Sequence, residues 1–158
     1  MAKEAIKFSK NPFDIWYDLN KEANITLAPG RIYYYQLYAI VDGPYVYSNV
    51  QSFSTPSPVS TWTTGASNIT ATNATVNGTV QYTGNRPTKV GLLFGISPTD
   101  LKDVASDNIN FSKNPFDIWY DLNKEAHWTL WANQTYYYQF YVVQDGYYYY
   151  SNIDSFQN

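Results

Sequence analysis

The 158-residue sequence contains no cysteine and a single histidine, His127. The first absence excludes disulfides and thiolate metal sites. The second all but removes histidine-based catalysis and histidine-rich metal centres. Charge is also scarce: Asp, Glu, Lys and Arg make up 15% of the chain, with 10 basic residues against 13 acidic and a net charge of −3. The basic residues are scattered, with no run able to track a phosphate backbone, so nucleic acid is not an expected partner. No apolar stretch is long enough to span a bilayer, and the opening MAKEAIKF lacks the apolar core of a secretion signal. No residue set has the spacing of a cofactor site, and no cofactor is expected.

Aromatic residues, by contrast, make up 19% of the chain, with 17 Tyr, 8 Phe and 5 Trp. Such side chains pack well on a pleated surface, and their abundance argues for β-structure and against disorder. The stretch FSKNPFDIWYDLNKEA occurs twice without a change, as Phe8 to Ala23 and Phe111 to Ala126, an offset of 103. The 32 residues after each copy, Asn24 to Thr55 and His127 to Asn158, share 15 letters. The middle, roughly Pro56 to Ser106, has no second copy. The chain therefore runs as one segment, a different segment, and the first segment again.

Within the repeat, Phe13, Ile15, Tyr17 and Leu19 alternate with Asp14, Trp16 and Asp18, which reads as a strand. A helix capped by Asn11 with Pro12 in its first turn is the alternative. Met1 to Lys7 reads as a frayed lead-in or short edge strand. Beyond Pro29-Gly30, Tyr33 to Ile40 alternate as a strand. Asp42-Gly43 then signals a hairpin, with Tyr45 to Phe53 returning. The second copy repeats this with Tyr136 to Val143, Asp145-Gly146 and Tyr147 to Phe156. In the middle segment, STPSPVST reads as a stiff linker and Ala74 to Val80 as an alternating strand. A turn at Gly84 to Pro87 leads into an apolar strand at Lys89 to Gly95. Ser97 to Asp100 breaks the chain, with one helical turn possible from Leu101. Short strands punctuated about every ten residues indicate a sandwich.

In that order, ATNATVNGTV, VGLLFGISP and TLWANQTYYYQFYVVQDGYYYYSNIDSF resemble a bacterial fibronectin type III-like module, a fold of the immunoglobulin-like class. Leu27, Pro29, Gly30 and Tyr33 resemble the tyrosine corner of that family, in which the Tyr hydroxyl bonds back to nearby backbone. The second copy keeps Leu130 and Tyr136 but has Ala132-Asn133 in place of Pro-Gly. The resemblance implies an all-β, antiparallel sandwich carrying a duplicated half-domain. Residues 56–158 would form the complete module, and residues 1–55 an extra copy of its later half. It also implies an extracellular or cell-surface parent module without catalytic residues.

One middle segment cannot complete two copies of the repeat. The second copy could complete it in ordinary order (56–158) and the first as a circular permutant (1–106). The copy left over would expose many aromatics and strand edges, so residues 8–53 are expected to order against the second copy or a neighbouring chain. Strand-swapped oligomers, filaments or an alternate-frame switch follow as a structural reading of function.

The copies differ mainly in the turn before the Tyr strand and in the hairpin after it. Asn24, Ile25 and Ala28 become His127, Trp128 and Trp131, while Pro44 and Val46 become Tyr147 and Tyr149. A frozen block beside a reworked one is expected of recent recombination or of engineering, and engineering is the favoured reading. The added Trp and Tyr are residue types that anchor binding surfaces at low entropic cost. With the outward-facing Tyr137 and Tyr141, they give a candidate ligand surface of His127, Trp128, Trp131, Tyr137, Tyr141, Tyr147 and Tyr149. The expected function is non-enzymatic binding of a protein or glycan. Asp14, Asp18 and Glu22, with Asp117, Asp121 and Glu125, could share a helix face as a cation or acid–base site. On strands they line the wet face, and that is the expectation.

Overall fold

The computed structural model describes residues 12–110 and 113–158. The expected lead-in at Met1 to Lys7 and the Asn11 cap lie outside them. The chain divides into two compact units, Met1–Ser57 and Pro58–Asn158. Among the described residues all regular structure is β, every strand pairing is antiparallel, and no helix forms.

The first unit contains two separate two-stranded ladders. β1 (Ile32–Tyr35) pairs with β4 (Gln51–Ser54), and β2 (Tyr38–Ile40) pairs with β3 (Tyr45–Tyr47). The loop between β2 and β3 turns through Asp42 and Gly43, both in the left-handed region at φ 54° and 108°. Asp and Gly tolerate that region, as the hairpin reading requires. The expected return strand from Tyr45 to Phe53 is interrupted at Ser48. There the backbone N–H donates to the Leu37 carbonyl (2.9 Å) and Oγ accepts from the Leu37 N–H (3.0 Å). These bonds carry the chain from one ladder to the other.

The second unit holds two sheets. β5 (Val59–Ser67), β6 (Thr75–Tyr82) and β9 (Phe116–Asp121) form one, in the order β5-β6-β9. The other contains β7 (Lys89–Gly95), β8 (Lys102–Asn108), β10 (Thr135–Gln144), β11 (Tyr147–Tyr150) and β12 (Asp154–Gln157). Its order is β11-β10-β7-β8, with β12 pairing the opening of β10 while β11 pairs its end. One core, sandwich-like, lies between the sheets. Val76 and Val80 of β6 and Ile118 and Tyr120 of β9 meet Leu92 and Phe94 of β7 and Tyr138, Phe140 and Val142 of β10. Every second residue of each strand points inward, the period a pleated strand imposes. No helical turn follows Ser97 to Asp100. The Asp100 N–H closes a turn onto the Ser97 carbonyl at 3.2 Å, and β8 begins at Lys102. KDVASDN lacks apolar alternation because β8 is an edge strand, mostly wet, where charged side chains discourage further pairing.

The two copies of the repeat have nearly the same local geometry. Ile32↔Ser54 in the first matches Thr135↔Gln157 in the second, and Tyr38↔Tyr47 matches Tyr141↔Tyr150. Asn24 and His127 both have positive φ, at 51° and 53°. Asp18 Oδ1 accepts the N–H groups of Asn20 and Lys21, and Asp121 Oδ1 accepts those of Asn123 and Lys124. Two differences stand out. PFDIWYDL carries strand β9 in the second copy, whereas residues 13–19 form neither strand nor helix. The ten-residue β10 is continuous, but its counterpart is broken between β1 and β2. Both have one cause: in the second unit β6 pairs with β9 and β7 pairs along β10. A β-strand takes its hydrogen bonds from an adjacent strand, and β6 and β7 supply them in the second unit.

Candidate functional site

The loop from β9 to β10 is built by short-range bonds. Asp121 holds the turn at Asn123 and Lys124, and Asn73 Nδ2 donates to the same carboxylate at 3.0 Å. Those donors, the Lys124 N–H foremost, hold the Asp121 carboxyl below its ordinary value. His127 follows in the left-handed region, and the Trp128 N–H donates to the Leu122 carbonyl at 2.8 Å. Leu130 is buried and donates its N–H to Thr72 at 3.0 Å. The Trp131 N–H then donates to the Tyr136 hydroxyl at 2.7 Å. The same bond joins the Ala28 N–H to the Tyr33 hydroxyl in the first unit, at 2.7 Å. Replacing Pro29-Gly30 by Ala132-Asn133 leaves the bond intact, because Asn133 adopts the φ of 61° that Gly30 holds at 63°.

At this end of the second unit, His127, Trp128, Thr129, Trp131, Tyr136 and Ile96 line a cleft of about 210 Å³. Trp128 meets Phe94 edge-on at 5.3 Å, and Phe94 stacks on Tyr136 at the same distance, so the cleft floor is continuous with the core. Trp131 is 73% exposed. The structure thus brings His127, Trp128 and Trp131 together.

The four tyrosines of the sequence-derived set lie elsewhere. Tyr137 and Tyr141 are on the outer face of β10. Tyr137 is half-buried, but Tyr141 is only 2% exposed because its own neighbours cover it. Its ring lies flat on Gly91, where an added Cβ would stand 2.1 Å from Cζ. Its hydroxyl donates to Asp103 Oδ2 at 3.0 Å, Tyr148 packs at 5.5 Å and the Lys89 ammonium lies 5.8 Å from the ring. Burial, then the bond to Asp103, raises the Tyr141 phenol pKa. Tyr147 stands at the exposed hairpin rim, whereas Tyr149 points into the core at 8% exposure. Tyr148 and Tyr150 of that hairpin are exposed as well, stacked at 6.4 Å. Tyr141 and Tyr149 are therefore packing residues in this structure. Sequence reasoning missed Tyr148 and Tyr150 because YYYY shows which positions share a face but not which face is wet. It missed Ile96 because the residue sits alone beside a turn, and only the fold carries it to Trp131.

Asp117 accepts the Thr79 hydroxyl at 3.0 Å, and Asp121 is engaged in its own turn. Among the described residues no three His, Asp or Glu side chains converge as a metal site.

No protein-family model matches the chain, and no curated protein matches it. Among solved structures it is similar to the sensor domain of the anti-sigma factor RsgI4 in Pseudobacteroides cellulosolvens. The shorter form of that domain is matched at 28% identity and a TM-score of 0.50, over 64% of this chain and 94% of that one. The longer form is matched at 27% identity and a TM-score of 0.46, over 63% and 87%.

Proposed function

We propose that Pro58–Asn158 is a non-enzymatic sensing module of the fibronectin type III-like kind, and that it binds its ligand at the His127–Trp131 end. The observation that carries this reading is the cleft itself. An almost bare indole, Trp131, stands beside a second Trp whose other edge is locked into the core. An exposed aromatic on a rigid floor contributes contact area at little entropic cost. Support comes from the sensor-domain likeness, whose matched share of this chain equals the share occupied by the second unit. Tyr148 and Tyr150, on the outer face, offer further stacking area. A protein segment or a glycan would be held by stacking on these rings.

Trp131→Ala is the clean test, because Trp131 contributes its backbone N–H to the fold while its side chain stays in water. Trp128→Ala and Tyr149→Ala would disturb packing as well. The full chain is screened against soluble polysaccharides and extended peptides by tryptophan fluorescence. The expected result is a ligand whose affinity Trp131→Ala reduces by about 1–2 kcal/mol or more, with an unchanged unfolding midpoint. Equal affinity in wild type and variant rejects the site.

A further inference from the structure

The place that β9 holds on β6 is specified by residues the chain carries twice. Among the described residues β9 ends the sheet order β5-β6-β9, so one ladder holds it, from Thr75↔Asp121 to Val80↔Phe116. Phe116, Ile118, Tyr120 and Leu122 face the core, none more than 5% exposed. The Leu122 N–H donates to the Ala74 carbonyl, the Asn123 N–H to Asn73 Oδ1, and Asn73 Nδ2 to Asp121 Oδ1, each at 3.0 Å. Every β9-side residue of these contacts lies within 115–126, and residues 12–23 carry the same twelve letters in the same order. Identical side chains at identical spacing offer β6 the same pairing and the same burial. The closing turn is shared too: Glu22 donates to the Asp18 carbonyl at 2.8 Å, and Glu125 to the Asp121 carbonyl at 2.9 Å. Identity stops there. Trp128, edge-on to Phe94 at 5.3 Å, has Ile25 as its counterpart. Phe140 lies on Gly78 where the first copy has Leu37, and Gln144 donates to the Thr83 carbonyl at 2.9 Å where the first copy has Val41. The middle segment therefore tells the copies apart beyond residue 126 and is blind to the difference within the block.

We propose that residues 12–23 are a second occupant of the β6 edge, able to replace residues 115–126 of the same chain. Main-chain pairing plus burial of alternate side chains is how an added strand is recognised, and an edge strand can leave without dividing its sheet. The exchange is confined to the block and leaves β10 in place. A Leu in place of Phe140 would open a void beside Gly78, and a Val in place of Gln144 cannot donate to Thr83. The tether makes the same chain the source, because a linked segment meets its site at an effective concentration that separate chains do not reach in dilute solution. Exchange gives up whatever residues 12–23 touch in the first unit and frees Trp128 from its bond to the Leu122 carbonyl, so the β9 form is the major one. The proposal concerns the β6 edge and stands whether or not the Trp131 cleft binds a ligand.

The test disables the resident strand and asks whether the spare one takes over. In the full chain, Ile118→Asp sets a carboxylate against the core, and Ile15→Asp does the same to the spare block. The expected result is that amides across 75–80 exchange about tenfold or more slowly in Ile118→Asp than in the Ile118→Asp/Ile15→Asp double variant. Ile15→Asp alone should leave them as in the wild type. A crosslink reads the exchange directly. The chain has no cysteine, so Trp16→Cys with Asn77→Cys introduces the only two thiols. Asn77 is the register partner of Trp119, and directly opposed residues of paired strands lie within disulfide reach. Oxidation of this pair in the Ile118→Asp background should give a crosslinked monomer. Equal protection in the single and double variants overturns the proposal, as does absence of the crosslink. A crosslink formed only between chains overturns it too, in favour of a neighbouring copy as the source.

Discussion

The Phe140 ring lies across Gly78 so closely that a methyl group on Gly78 would stand 2.6 Å from Cε2 of the ring and 2.9 Å from the Trp62 carbonyl oxygen. β10 of one sheet thus approaches β6 of the other over a position where only hydrogen fits. The first copy of the repeat has Leu37 where the second has Phe140, so the middle segment is shaped to the second copy's ring. Gly78→Ala is expected to lower the stability of the second unit by about 1–3 kcal/mol through overpacking. Adding Phe140→Leu should recover only part, because the Trp62 carbonyl still faces the methyl. Urea unfolding reads both, and an unchanged midpoint in Gly78→Ala contradicts the sheet spacing.

Tyr136→Phe removes the acceptor of the Trp131 N–H while keeping the ring stacked on Phe94. The expected cost is about 1 kcal/mol, the net worth of one intramolecular hydrogen bond. It should be accompanied by faster exchange of the Trp131 amide. Tyr33→Phe should speed exchange at Ala28 in the same way.

High pH should unfold the second unit through its buried phenols. Burial raises the pKa of Tyr120, with Asp107 adding to it, and raises Tyr138, whose hydroxyl donates to Asp154 at 3.0 Å. Tyr141 is raised in the same direction. A phenol raised in the fold contributes stability that is full below its ordinary value of 10.0 and is lost as pH climbs beyond it. Tyrosinate absorbance from these three residues should therefore appear together with loss of β circular dichroism above about pH 10. Complete ionisation of all the tyrosines with the sheet signal intact would contradict their burial.

At the acid end the sign reverses. Asp121 is held below its ordinary value of 3.8, chiefly by the Lys124 N–H and by Asn73, so its contribution is present above that value and is lost as pH falls through the folded pKa. The stability gap between wild type and Asp121→Asn should be open near neutrality and close as pH drops below about 4. A gap independent of pH would mean that the charge has no part in holding the turn.

Some of this molecule was readable from its letters because the relevant physics is local. Asp42-Gly43 and Asp145-Gly146 had to turn, since few other residues accept positive φ. Lys89–Gly95 was legible as a compact apolar run bounded by turns. β8 was not, since an edge strand in water needs no apolar rhythm. Of the aromatic set, Trp131 could be placed at the surface from its loop. Tyr141 could not, because Gly91, Tyr148 and Asp103 conceal it from three different strands.

The sequence alone dictated the short-range geometry that both copies share: the aspartate-held turn, the left-handed residue after it, and the backbone amide that donates to the hydroxyl of the tyrosine five positions on. Tertiary structure decided the rest. Ile118 is a buried residue of a strand that pairs with β6, whereas its counterpart Ile15 lies in no strand and is exposed. The alternation of apolar side chains is the same in both places, but a β-strand draws its hydrogen bonds from another strand, so the string cannot complete its own structure.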